Sequence, residues 1–160
     1  MTGVSPQVLG AHAFLRGMTA GQVALLAGAA AEVSVPHGFR FFEEGGPADR
    51  FWLISSGHVA LDLQLPGRVR LIVETVGGGG VIGLSWLSSP REWQFGAEAV
   101  LDTTAFELDA AAVGALCDGD PALGVSITRQ LMAVAATRLQ ATRIRLLDLY
   151  AAPGQHTGAR

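Results

Sequence analysis

Residues Val81 to Ala97, VIGLSWLSSPREWQFGA, hold the side chains best suited to binding chemistry. Gly83 opens a short segment, Leu84-Ser85-Trp86-Leu87-Ser88-Ser89, that is long enough for one helical turn, and Pro90-Arg91 leads from it into an alternating strand. Backbone N–H groups at the start of such a turn, with an arginine facing them, make an anion site. The residue after Gly83 is the apolar Leu84, however, and Arg91 is followed by Glu92, which can neutralise it. Trp86, Trp93 and Phe95 bring three large rings to the same stretch. Other chemistries find no set of residues. His12, His37, His58 and His156 are scattered without a His-x-His pair, and Ser85, Ser88 and Ser89 lack a Gly-x-Ser-x-Gly elbow. Gly77 to Gly80 lacks the lysine of a phosphate-binding loop and reads as a mobile hairpin between strands. Cys117, the single cysteine, excludes an intramolecular disulfide and a cysteine-built zinc or iron–sulfur centre, and reads as a partly buried helical thiol. Catalysis is not expected, and no metal site is.

These residues need a scaffold, and the pattern of the chain supplies one. At 160 residues it is expected to form a single domain, and 49% hydrophobic against 16% charged residues excludes long disordered polar tracts. No apolar run approaches the roughly 20 residues of a membrane span, and Met1 to Gly10 is not a basic-then-apolar leader, so a cytoplasmic location is expected. From Pro6 to about Ala31 apolar residues recur at helical spacing, with Thr19 as N-cap of a second helix. Over 32–108 the period changes to two, and turns at Pro36-His37-Gly38, Gly45-Gly46, Ser56-Gly57 and Pro66-Gly67 cut the run into short strands. That spacing implies an antiparallel roll. Helical spacing returns over 109–150, where Asp109 caps a short helix to Cys117 and Asp120-Pro121 starts a long one to about Tyr150, leaving 151–160 as a tail. The fold class is α+β, mainly β: a jelly-roll-like β-roll with N-terminal helices and a short plus a long C-terminal helix.

The turns within the roll are specific. FFEEGGPADRFWLISSGHVALDL, Phe41 to Leu63, sets Gly45-Gly46 in a tight turn, Asp49 at the mouth of a strand and Gly57 in a second turn, and Thr75 to Gly83 leads through Val81-Ile82 into the cassette. This series resembles the signature of the cyclic-nucleotide-binding domain family, over about Ala13 to Tyr150. The resemblance implies a sensory domain of the catabolite-activator and FNR type. In that family a glutamate after the cassette glycine accepts the ribose 2′-hydroxyl, and an arginine near its end pairs with the cyclic phosphate. Arg91 takes the arginine's place, and Leu84 stands where the glutamate would be. A hydroxyl buried there without its acceptor costs roughly 1–3 kcal/mol. The candidate ligand site is therefore Gly83, Leu84, Ser85, Trp86, Arg91, Glu92 and Trp93, and the ligands it implies are cAMP, cGMP or another small anion. Two readings stand side by side. Arg91 anchors an anion within an aromatic pocket, or Glu92 neutralises Arg91 and the tryptophans fill the old pocket, leaving a scaffold.

Along the long helix, Met132, Ala135, Leu139, Thr142, Leu146 and Leu149 follow three-four spacing, while Ile127, Leu131 and Val134 form an adjacent stripe. One stripe can pack on the roll and the other on a second copy, so a homodimer is expected. Arg138-Leu139-Gln140-Ala141-Thr142 resembles the helix segment that touches the adenine in such regulators, which adds Thr142 to the ligand-site candidates. Net charge is −3, lysine is absent, and Arg129, Arg138, Arg143 and Arg145 gather near the C-terminus, where they read as a solvated face or an interface rim. The sequence given ends at Arg160, without the helix-turn-helix of the resembling regulators. Direct DNA binding is therefore not expected, and output is expected through a partner protein.

Overall fold

The computed structural model describes residues 3–67 and 69–151, at Leu149 the backbone alone. The tail expected at 151–160 lies outside them from residue 152, as does His156. The helical N-terminus comprises α1 (Pro6–Gly10), a 3-10 turn (Ala13–Leu15) and α2 (Ala20–Gly28). Thr19 and Gln22 close a capping box on α2, each side chain accepting the other residue's backbone N–H.

Among the described residues eight strands follow: β1 (Ala30–Val35), β2 (Arg40–Phe42), β3 (Arg50–Ser56), β4 (His58–Leu63), β5 (Leu71–Gly77), β6 (Val81–Ile82), β7 (Gly96–Ala99) and β8 (Thr103–Asp109). They form two four-stranded antiparallel sheets, in the orders β1-β8-β3-β6 and β2-β7-β4-β5. Such a roll buries alternate residues between the sheets. Phe51 to Ile54 are buried on both faces of β3, since α3 (Ala110–Gly119) also packs on that strand. Asp109 accepts the N–H of Ala112 to cap α3, and Asp120 accepts that of Leu123 to start α4 (Pro121–Ala151).

Gly77 to Gly80 is not a free hairpin. It carries the chain from β5 in one sheet to β6 in the other and is pinned to β3: Gly79 N–H donates to the Ile54 carbonyl at 2.8 Å, and Ile54 N–H to the Gly80 carbonyl at 2.9 Å. A Cβ on Gly78 would come within 2.8 Å of the Ser55 carbonyl oxygen, so glycine serves close approach there. None of the described helices is long and apolar enough to cross a membrane.

Candidate functional site

Gly83 sets the geometry of the cassette. Its φ of 89° is left-handed, and an added Cβ would come within 3.1 Å of the Arg50 carbonyl oxygen and of Phe51 Cα, so the turn between β6 and the following 3-10 segment (Leu84–Leu87) requires glycine. That 3-10 segment runs over the end of β3, where Trp86 stacks on Phe51 with ring centroids 5.3 Å apart. Trp86 is thereby core rather than ligand surface, and its Nε1–H is buried without a partner among the described residues.

Beyond it, residues 91–93 pair with the Gly45–Ala48 turn. Ala48 N–H donates to the Arg91 carbonyl at 2.9 Å, and Gly46 and Trp93 join through the Trp93 N–H at 2.9 Å. This pairing turns Trp93 inward, where it stacks on Phe42 at 4.0 Å, and leaves Arg91 and Glu92 exposed. Neither of these two makes a side-chain ion pair among the described residues. The arginine expected to hold an anion thus lies outside the cavity, and the neutralising contact with Glu92 is not made.

A cavity of about 250 Å³ remains. The cassette contributes Gly83, Leu84, Ser85, Ser88, Trp93 and Gln94 to it, the bend before β7 Phe95, and the roll Phe42 and Leu61. From α4 come Ala135 and Arg138. Of the sequence candidates, Gly83, Leu84, Ser85 and Trp93 therefore come together, and Trp86, Arg91, Glu92 and Thr142 do not. The Thr142 hydroxyl donates to the Arg138 carbonyl at 2.8 Å, one helical turn back, and the residue is exposed.

Arg138, expected from the sequence on a solvated face or an interface rim, lines the cavity instead. Its Nε donates to Glu74 on β5 at 2.6 Å and its Nη2 to the Val81 carbonyl at 2.7 Å. Arg145 is likewise bound, donating to the carbonyls of Ile72 and Val73. The two arginines fasten α4 along β5, the edge strand of its sheet. The signal was present in the spacing: 127, 131, 134, 138 and 145 continue one helical stripe, whose first members Ile127 and Leu131 are buried on the roll. Glu74 and Arg138 also border a second cavity, of about 330 Å³, near Ala13 and Gln130.

The adjacent stripe of α4 is bare. Met132, Leu139 and Leu146 are more than half exposed and Val125 is half exposed, each seven residues from the next, and Ala135 and Thr142 lie between them. The side chain of Leu149 is outside the described set.

Two further groups bear on electrostatics. His12 is buried: its Nδ1 accepts from Phe14 N–H at 3.1 Å and its Nε2 donates to the Ile54 carbonyl at 2.8 Å, and burial pushes its pKa below the ordinary histidine value, against that carbonyl bond. Burial, with Asp118 and Asp120 nearby, pushes the Cys117 thiol up, away from the reactive thiolate.

Comparison with known proteins places this geometry. A family model described as the cyclic nucleotide-binding domain matches residues 32–120. The CRP-like cAMP-activated global transcriptional regulator of Mycobacterium tuberculosis is 26% identical over 143 residues, 89% of this chain and 62% of that protein. The chain thus spans under two thirds of its curated relative. A cyclic nucleotide-binding domain from Methylobacillus flagellatus KT superposes with a TM-score of 0.81 at 21% identity, covering 96% of this chain and 89% of the other. The catabolite activator protein of Thermus thermophilus gives 0.69 at 25% identity, covering 86% and 63%.

Proposed function

The chain belongs to the cyclic nucleotide-binding domain family, and from that premise we propose that it is a non-catalytic regulatory module with an altered cassette, which signals occupancy through α4 to a second copy and a partner protein. One observation carries this reading: the cassette cavity is bounded by Gly83 to Ser85 on one side and by Ala135 and Arg138 of α4 on another. A molecule seated there touches the helix whose apolar stripe is left bare, so binding can shift the packing of that stripe. The stripe has the a and d spacing of a two-stranded seam, with small Ala135 and Thr142 at d positions to permit close approach.

A second reading, a cAMP or cGMP sensor, is favoured by the likeness to the cAMP-activated regulator of M. tuberculosis. A scaffold with a filled pocket is disfavoured by the cavity itself. Light scattering combined with calorimetric titration of cAMP, cGMP and c-di-GMP separates the first reading from the second. The proposed module is a dimer at micromolar concentration, becomes a monomer with unchanged helix content in Leu139→Glu, and releases no binding heat with micromolar cyclic nucleotide. A wild-type monomer at high micromolar concentration overturns the seam, and micromolar binding of cAMP establishes the second reading.

A further inference from the structure

We infer that the cassette cavity takes a small, uncharged and mainly apolar molecule carrying a hydrogen-bond acceptor, rather than a cyclic nucleotide. The inference rests on the reading of the chain as a sensory module and specifies what it senses. Three observations support it.

The first is the wall. Phe42 and Trp93, stacked at 4.0 Å, join Leu61, Leu84 and Phe95 to give a surface that is aromatic and aliphatic. Among the described residues no carboxylate borders the cavity, so the hydroxyls of a ribose would meet the apolar Leu84 and find only the neutral acceptors of Ser85, Ser88 and Gln94. At about 250 Å³ the cavity falls just below the usual range for small-molecule sites, which favours a ligand of one or two rings.

The second is charge. Among the described residues Arg138 is the only ionised side chain on the cavity wall, and it is already paired with Glu74 at 2.6 Å. An anion would have to draw the guanidinium from that carboxylate, or sit close to both. A neutral acceptor does not meet this competition. A guanidinium has five N–H donors, of which Glu74 and the Val81 carbonyl engage two. Ser85 supplies another donor: its oxygen accepts Gln94 N–H at 3.3 Å, and its own O–H has no partner among the described residues. A carbonyl, ether or hydroxyl group on the ligand can therefore be recognised while the ion pair stays intact.

The third is the partition between cavities. Arg138 borders this cavity and its 330 Å³ neighbour, so an occupant that bonds to the guanidinium acts directly on the tie between α4 and β5. This gives the ligand a mechanical route to the helix.

The test uses the intact chain and matched probes: 2-naphthol, which is neutral, 2-naphthoate, which is the same ring with a carboxylate, and cAMP. Calorimetry on the wild type should give 2-naphthol an affinity at least about tenfold above that of 2-naphthoate, with no heat from cAMP. Gln94→Trp alters an exposed rim residue and should abolish 2-naphthol binding with the circular dichroism spectrum unchanged. Glu74→Gln removes the competing carboxylate and should raise 2-naphthoate affinity by about tenfold or more. Equal or tighter binding of 2-naphthoate by the wild type overturns the inference, as does 2-naphthol binding that Gln94→Trp leaves unchanged. If no probe binds while the chain dimerises through α4, the ligand class is wrong and the module reading survives. If cAMP binds at micromolar concentration, both are wrong.

Discussion

The tie between Arg138 and Glu74 offers the sharpest quantitative test, because it joins α4, the helix proposed to carry the signal, to the sheet beneath it. The perturbation is a double-mutant cycle of Arg138→Ala, Glu74→Ala and the pair. Their side chains are 16% and 26% exposed, so solvent screens the charges less than at an open surface. Unit charges about 4 Å apart at an effective dielectric near 20 attract by about 4 kcal/mol, and withdrawing both from water offsets half or more of that. A coupling energy of about 1–2 kcal/mol follows. Each single variant should lose more, about 2–3 kcal/mol, because it leaves a partly buried charge or carboxylate without its partner, and Arg138→Ala also leaves the Val81 carbonyl unbonded. For a chain of this length that is roughly a 5–10 °C fall in Tm. Urea denaturation at one fixed protein concentration measures the cycle, since self-association would otherwise move the midpoints. Additivity of the two single losses to within about 0.5 kcal/mol would refute the reasoning.

Two further outcomes follow from other sites. His12 is satisfied only when neutral, because Nδ1 must accept from Phe14 N–H, and its folded pKa lies below 6.5. The unfolded chain then takes up the proton first, so the contribution is intact above pH 6.5 and is lost as pH falls from there toward the lower folded value, by at most about 1.4 kcal/mol per pH unit. Urea midpoints followed from pH 7.5 to pH 5 should fall less steeply in His12→Gln than in the wild type, and parallel curves would remove His12 as the cause. Gly83→Ala forces a left-handed φ of 89° on a residue with a Cβ and presses that atom on the backbone of β3; a loss of about 2–4 kcal/mol is expected in thermal denaturation, and a loss under 1 kcal/mol would mean the turn relaxes freely.

Much of this protein could be read from local pattern. The turn residues at Gly45-Gly46, Gly57 and Gly83 and the shift from period two to helical spacing at Asp109 specify a roll followed by helices, since backbone conformation and side-chain period are local properties. The caps at Thr19, Asp109 and Asp120 are equally local, each acting within three residues. The bare heptad stripe of Met132, Leu139 and Leu146 followed from spacing alone for the same reason.

Which arginine meets the cavity was a different kind of question. Arg91 sits in the cassette sequence, yet the pairing of residues 91–93 with the Gly45–Ala48 turn, over forty positions away, directs Trp93 inward and leaves Arg91 in water. Arg138 enters because Glu74 and the Val81 carbonyl, both distant in sequence, compensate the cost of taking its charge from solvent. Likewise His12 is held by a carbonyl of β3 and Trp86 by the ring of Phe51. Sequence by itself determined the scaffold and the place of the cassette, because those depend on neighbours along the chain. The charge and shape of the cavity were decided only by tertiary structure, because burying an arginine or a tryptophan depends on partners that the fold alone brings within reach.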